Sequence, residues 1–370
     1  MTPTYKNIHN RFKLNGTHYN FEDLKEVAYS FIKEGLDFEK QIGDFVNHWQ
    51  DDSEFIDVKT SGSTGQPKTI SLSKQAMVNS AIATGDFFGL EPGNTALMCL
   101  PANYIAGKMM LVRALILGLE IEVIEPKTNP VFDNEVHYDF CAMIPIQLQK
   151  TLKRIDNIKT IIVGGASVSY QLKEQIQGLK TNIFETYGMT ETITHVAVKK
   201  LNNFQNDEDS NTVKASCFQT LPNIKISQNK SQCLVIDAPN ILDETIETND
   251  VVKLHSDTTF EWLGRKDNVI NSGGVKLFPE QIEAKLQPQI ASRFFISKEE
   301  DDKFGEHVIL VVEDKDFNLK PSDLKGLSKI ETPKKIYVLE QFKETSSGKI
   351  NRGKTLQLLQ HRVSDESKNG

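Results

Sequence analysis

The chain has 370 residues, more than one hydrophobic core commonly supports, so two domains are expected. With 38% hydrophobic and 25% charged residues it has the make-up of an ordinary soluble globular protein. Its 43 basic and 50 acidic residues leave a formal charge of -7, which argues against the overall basic surface that a nucleic-acid binder uses to release counterions. Cys99, Cys141, Cys217 and Cys233 are widely spaced and form no CxxC, which fits reduced thiols and offers no zinc site. The first residues, MTPTYKNIHNRFKLNG, lack the apolar centre of a signal peptide. The longest apolar stretch, Met109 to Leu119, is broken by Arg113 and is too short to span a bilayer. A cytoplasmic protein without a membrane span is expected.

In chain order, the first strong local signal is TSGSTGQPK, Thr60 to Lys68. Gly62 and Gly65 free the backbone to turn its N–H groups onto an anion. Ser61, Ser63 and Thr64 add hydroxyl donors, and Lys68 adds a full positive charge. Pro67 directly before the lysine breaks the Walker spacing GxxxxGK[ST], so this is not an ordinary nucleotide-triphosphatase loop. By residue type alone it also suits a surface turn.

Beyond it, TALMCLP, IEVIEP, FCAMIP, TIIVGG and NIFETYG, between Thr95 and Gly188, read as buried strands. GKMMLVRALILGL, IQLQKTLKRI and SYQLKEQIQGL lie between them with apolar residues at helical spacing. Such alternation predicts an α/β fold with a mainly parallel sheet covered by helices, whose ligands gather at the strand carboxyl ends. Gly165 and Ala166 fall at such an end, as does FETYGMTETITH. There Tyr187 offers a ring to a flat base, with Gly188 beside it at the nucleotide. Thr190 offers a hydroxyl to a phosphate, and Glu191 a hard oxygen to Mg²⁺. The same residues also suit a helix start capped by Thr190.

Residues 205–214 read as an exposed acidic connection, followed by short strands KISQ, CLVIDAP and VVKLH forming a small β unit. Thr248, Asn249 and Asp250 are expected to form a turn, with Asn249 tolerating positive φ. Asp250 there could accept ribose hydroxyls, reinforced by Arg265, or could simply be a turn residue. From Arg265 a compact α+β unit is expected: helix FPEQIEAKLQ, strands ASRFFIS and HVILVVED, a helix near Ser322 to Leu327, and strand KKIYVLE. The boundary near Gly264 divides the chain into residues 1–264 and 265–370.

TSGSTGQPK, YGMTE, the TND before GRKD, and ETSSGKINR at Glu344 to Arg352 follow one another in the order seen in adenylate-forming enzymes. The chain resembles this family, which includes acyl-CoA synthetases, luciferases and peptide-synthetase adenylation domains, from Thr60 to Arg352. The resemblance implies a large domain, a small mobile domain, ATP and Mg²⁺ as requirements, and coenzyme A or a carrier protein as acceptor. It makes Lys349 the lysine that bridges carboxylate and α-phosphate, and Asp267 the hinge. It places Gly273 and Gly274 where a pantetheine arm would pass. The chain departs from the family in four places: Tyr104 for histidine, Asn249 for glycine, Lys343 for proline and Gln281 for glutamate.

LPANYIAGKMMLVRALILG and the early position of the first motif resemble most the o-succinylbenzoate–CoA ligases of menaquinone biosynthesis. Tyr104, Lys108, Arg113 and His195 are then candidates to meet the acid, with Arg113 or Lys108 facing its non-reacting carboxylate. Another aryl- or short-acyl-CoA ligase, a carrier-loading enzyme and a non-catalytic adenylate-binding regulator are the alternatives. Lys68, Glu191, Asp250 and Lys349 together speak against the last.

Overall fold

The computed structural model describes residues 3–59, 68–204, 217–344 and 350–366, with side chains of the last helix described to Leu359. The chain opens with a short ribbon, β1 (Lys13–Leu14) and β2 (Thr17–His18). A helical hairpin follows, α1 (Phe21–Glu34) and α2 (Asp37–Trp49). Asn20 caps α1, its side-chain oxygen accepting from the Glu22 and Asp23 amides at 2.9 and 3.0 Å. On α2, Ile42, Phe45, Val46 and Trp49 recur at helical spacing and are buried against the main core. The hairpin β3 (Phe55–Lys59) and β4 (Thr69–Ser73) flanks residues 60–67, and α3 (Lys74–Phe88) leads on from it.

Strands and helices then alternate: β5 (Thr95–Met98), α4 (Ile105–Leu117), β6 (Glu120–Val123), β7 (Tyr138–Met143), α5 (Pro145–Thr151), β8 (Ile158–Val163), α6 (Tyr170–Gln175) and β9 (Asn182–Gly188). Every pairing along β1-β6-β5-β7-β8-β9 is parallel, as this alternation requires. Successive residues face two cores, with Met98, Phe140, Ala142 and Ile162 on one side. Leu97, Cys141, Ile161 and Val163 point to the other, so both faces of the parallel strands are covered.

The small β unit does not stand apart. Antiparallel β10 (His195–Lys200), β11 (Phe218–Thr220), β12 (Lys225–Gln228), β13 (Cys233–Asp237), β14 (Ile246–Leu254) and β15 (Thr259–Arg265) extend the same sheet to 13 strands. A second, five-stranded sheet holds β16 (Ile270–Ser272), β17 (Val275–Leu277), β18 (Arg293–Asp301), β19 (Gly305–Glu313) and β20 (Lys335–Leu339). Helix α7 (Pro279–Leu286) and the last helix, α8 (Arg352–Glu366), complete that unit. Its strands also alternate between two cores, Ile296 and Leu310 on one face, Phe295 and Val311 on the other. This is the large-plus-small arrangement expected of the α/β class.

Two local expectations are corrected. Residues 322–327 form no helix: a 3-10 turn spans only Pro321–Asp323, Leu324 turns extended, and Gly326 takes φ 74. Leu324 is buried in the small unit's core, and the Lys325 amide is held by Gln289 Oε1 at 2.7 Å. Those tertiary contacts outweigh the weak local helix preference. Nor do Thr248, Asn249 and Asp250 form a turn. They lie inside β14, where Asp250 pairs with Arg265 across an antiparallel ladder that shifts register at Val251 and Val252. Asn249 is not among the residues with positive φ. The expected exposed connection at 205–214 lies outside the described residues.

Candidate active site

One cavity of about 1670 Å³ opens at the carboxyl ends of the parallel strands and reaches across to α7. Its floor is the end of β8, where Gly164, Gly165 and Ala166 line it, and the end of β9, which brings Tyr187 and Gly188. Gly188 has no room for a side chain: a Cβ there would stand 2.3 Å from the Thr194 carbonyl oxygen. That close approach lets the chain fold back so that His195 pairs with Gly188.

Residues 189–194 make the return turn. Thr192 Oγ1 accepts from the Met189 amide at 3.0 Å, and the Thr194 amide reaches the Thr192 carbonyl at 2.7 Å. This forces Ile193 to φ 65 and ψ -61, a γ-turn geometry costly for a β-branched residue. The strained turn presents Thr190 and Glu191 to the cavity on one side and His195 on the other.

Tyr187 and Asp250 form a fixed pair. The Tyr187 hydroxyl donates to Asp250 Oδ2 at 2.6 Å, and Arg265 Nη1 stands 3.7 Å from Asp250 Oδ1. Burial, then the Asp250 carboxylate, pushes the tyrosine's pKa up, so it stays a donor. Its ring packs edge-on to Phe260 at 5.2 Å and tilted to Phe218 at 5.7 Å, which holds it rigidly.

The same cavity is lined by a buried basic pair, Arg113 and His195. Arg113 is 1% exposed, and among the described residues no carboxylate forms an ion pair with it. Its Nη2 lies 3.5 Å from His195 Nδ1, its Nη1 lies 3.8 Å from Met110 Sδ, and its Nε has no partner. Burial lowers its pKa to about 9. His195 is pulled well below its ordinary value, by burial first and then by Arg113, so it is neutral. With Nδ1 facing a guanidinium donor, the ring proton belongs on Nε2, which is buried without a partner.

The remaining expected residues divide. Lys68 and Tyr104 line the cavity. Lys108 is absent from its lining and turns toward α2, with Nζ 5.1 Å from the centre of the Phe45 ring. Asp267 is exposed beside Arg265, 3.8 Å away. Gly273 and Gly274 form the tip between β16 and β17, away from the cavity lining. Thr60, Ser61, Gly62, Ser63, Thr64, Gly65 and Lys349 lie outside the described residues.

Two groups of the lining escaped the motif reading. Glu185 is buried with Lys199 Nζ at 2.8 Å and Lys173 at 3.9 Å. Burial pushes its pKa up, but the two lysines outweigh that and leave it low. Glu283 on α7 accepts from Arg352 Nη2 at 2.9 Å and from the Ile296 amide at 2.8 Å. Burial nevertheless raises its pKa to about 7. The only sequence signal for Glu185 was its place two residues before Tyr187 on the same strand; Glu283 carried none.

Among the described residues no three His, Cys, Asp or Glu side chains gather to hold a metal. A single exposed carboxylate, Glu191, still fits Mg²⁺, which keeps its waters and takes further ligands from phosphates. No helix among the described residues is long and apolar enough to cross a membrane.

A family described as AMP-binding enzyme matches residues 58–232. An acyl-CoA synthetase (AMP-forming)/AMP-acid ligase II-like protein from Dyadobacter fermentans is 34% identical, with 90% of this chain and 98% of that one covered and a TM-score of 0.61. The chain belongs to this family of AMP-binding, AMP-forming acid ligases. More distantly, it is 23% identical to the 2-succinylbenzoate–CoA ligase of Lactococcus lactis, over 80% of this chain and 69% of that protein. It shares its fold with O-succinylbenzoate coenzyme A synthetase from Bacillus subtilis in complex with ATP and magnesium ion (TM-score 0.66, 20% identity, 81% of this chain and 69% of that one).

Proposed function

We propose that the protein is an acid–CoA ligase that works through an acyl-adenylate, with o-succinylbenzoate as its acid. The observation that carries the reading is the cavity itself. Its lining holds the Tyr187–Asp250 pair, Thr190 and Glu191 together with Arg113, a buried guanidinium that has no ion-pair partner among the described residues. A dicarboxylic acid bound there offers one carboxylate to the nucleotide and the other to Arg113. The likeness to 2-succinylbenzoate–CoA ligases supports the same acid.

In this reading Tyr187 and Gly165 flank the adenine, and Asp250 with Arg265 takes the ribose hydroxyls. Residues Thr60 to Lys68 hold the β- and γ-phosphates, and Glu191 binds Mg²⁺, which neutralises phosphate charge. Lys349 meets the reacting carboxylate and α-phosphate, where negative charge accumulates. The carboxylate oxygen attacks the α-phosphorus, the bridge to the β-phosphate breaks, and pyrophosphate leaves. The small unit, residues 265–370, then swings about Asp267 and presents Gly273 and Gly274 to the pantetheine arm. The thiolate of coenzyme A attacks the acyl carbon, the carbon–oxygen bond breaks, and AMP leaves.

The test is product analysis with ATP and a panel of acids, with and without coenzyme A. The expected result is o-succinylbenzoate-dependent AMP and pyrophosphate, with thioester only when coenzyme A is present. ADP and phosphate would refute the adenylate route. Turnover of benzoate or fatty acids alone would refute the acid while leaving the class.

A further inference from the structure

Helix α7 lines the cavity and is tied to the large unit at both ends, to β15 at its start and to α6 just past its end. Near its start, Gln281 Nε2 donates to two consecutive main-chain carbonyls of β15, Trp262 at 3.0 Å and Leu263 at 3.1 Å. Beside it Glu280 Oε1 accepts from Asn268 Nδ2 at 2.5 Å, and Gly264 leaves room for that carboxylate, since a Cβ there would stand 2.3 Å from Glu280 Oε2. Just past the end of α7, Gln287 Oε1 accepts from the Tyr170 amide at 3.0 Å, and its carbonyl accepts from Gln171 Nε2 at 3.2 Å. Between these ties, Glu283 holds Arg352, four residues after the segment 345–348 and three after Lys349.

The chemistry at position 281 calls for a donor. A carboxylate only accepts hydrogen bonds, so the glutamate of the resembling family would face two carbonyl oxygens without a donor. We infer that Gln281 and Gln287 are positioning residues, a two-point clasp that holds the small unit in the orientation where Arg352 lines the cavity. Release of the clasp belongs to the second half-reaction. The assignment rests on the two-step reading above, while the clasp itself stands on the hydrogen bonds.

Full-length Gln281→Glu, Gln281→Lys and Gln287→Leu variants test it. Adenylate formation is measured by rapid quench, thioester formation from ready-made adenylate, and the Tyr170 amide by hydrogen exchange. Loss of two neutral hydrogen bonds predicts adenylate formation about tenfold slower in Gln281→Glu, with the thioester step unchanged or faster. Gln281→Lys keeps donors for the carbonyls and should keep near-normal adenylation. The Tyr170 amide should exchange faster in Gln287→Leu. Equal losses in both half-reactions, normal adenylation in Gln281→Glu, or unaltered Tyr170 exchange in Gln287→Leu would overturn the clasp. A wild-type protein that adenylates no acid would sink the functional reading instead, and the exchange measurement would still decide the clasp.

Discussion

Replacing Arg113 with methionine separates a substrate-binding charge from a structural one. Its guanidinium is 1% exposed, its nearest polar neighbour is a neutral histidine nitrogen at 3.5 Å, and Nε has no partner. A cation so placed weakens the unliganded fold, and exchanging buried charges for apolar side chains is often neutral or stabilising by about 1–4 kcal/mol. Arg113→Met should therefore unfold at the same or higher denaturant concentration. A carboxylate bound there would complete the missing pair. Truncating one partner of a buried charged pair costs about 2–5 kcal/mol, which at 1.4 kcal/mol per decade raises KM for o-succinylbenzoate at least about thirtyfold. Benzoate, lacking the second chain, should lose little. Steady-state kinetics with both acids, beside urea unfolding, is the assay. An unchanged KM for o-succinylbenzoate, or a protein that loses stability, would refute the reasoning and return Arg113 to the core.

Lys349→Ala should slow adenylate formation by about 10²–10³ while leaving thioester formation from ready-made adenylate near normal, as read by rapid quench; equal losses would end that division of labour. Tyr187→Phe strips Asp250 of a 2.6 Å charged hydrogen bond and should lower stability by about 1.5–3 kcal/mol in urea unfolding, with a higher KM for ATP. For Glu283, a folded pKa raised to about 7 from 4.5 means that the folded state holds the proton longer. Its contribution to stability is full below pH 4.5 and is lost as pH rises to about 7, by about 3 kcal/mol. Glu283→Gln should flatten that part of the stability profile; an unaltered slope would show the carboxyl to be ionised throughout.

The buried run TIIV was legible as a strand by its shortness, its β-branched residues and the glycines that end it, and β9 spans Asn182–Gly188 as the run NIFETYG implies. Helix α7 was equally plain, since proline opens it and Ile282 and Leu286 repeat at helical spacing. The hairpin of α1 and α2 was not read, because its apolar residues are diluted among charges and gain meaning only against the sheet. Asn249 misled because turn preference is local, whereas β14 is set by its ladder with β15. Contiguous residues such as Tyr187 to Glu191 could be read together, and the structure places them along one cavity. The approach of Arg113 to His195, across 82 residues of chain, and of Glu283 to Arg352, across 69, depends on packing that no local pattern encodes.

In the proposed reaction the acid carboxylate attacks the α-phosphorus of ATP. This attack is tested most directly with o-succinylbenzoate labelled with heavy oxygen in the reacting carboxylate, incubated with ATP and coenzyme A, and mass analysis of the nucleotide. An acyl-adenylate route leaves one labelled oxygen on AMP for each thioester formed. Label in inorganic phosphate, or unlabelled AMP alongside thioester, would contradict the account.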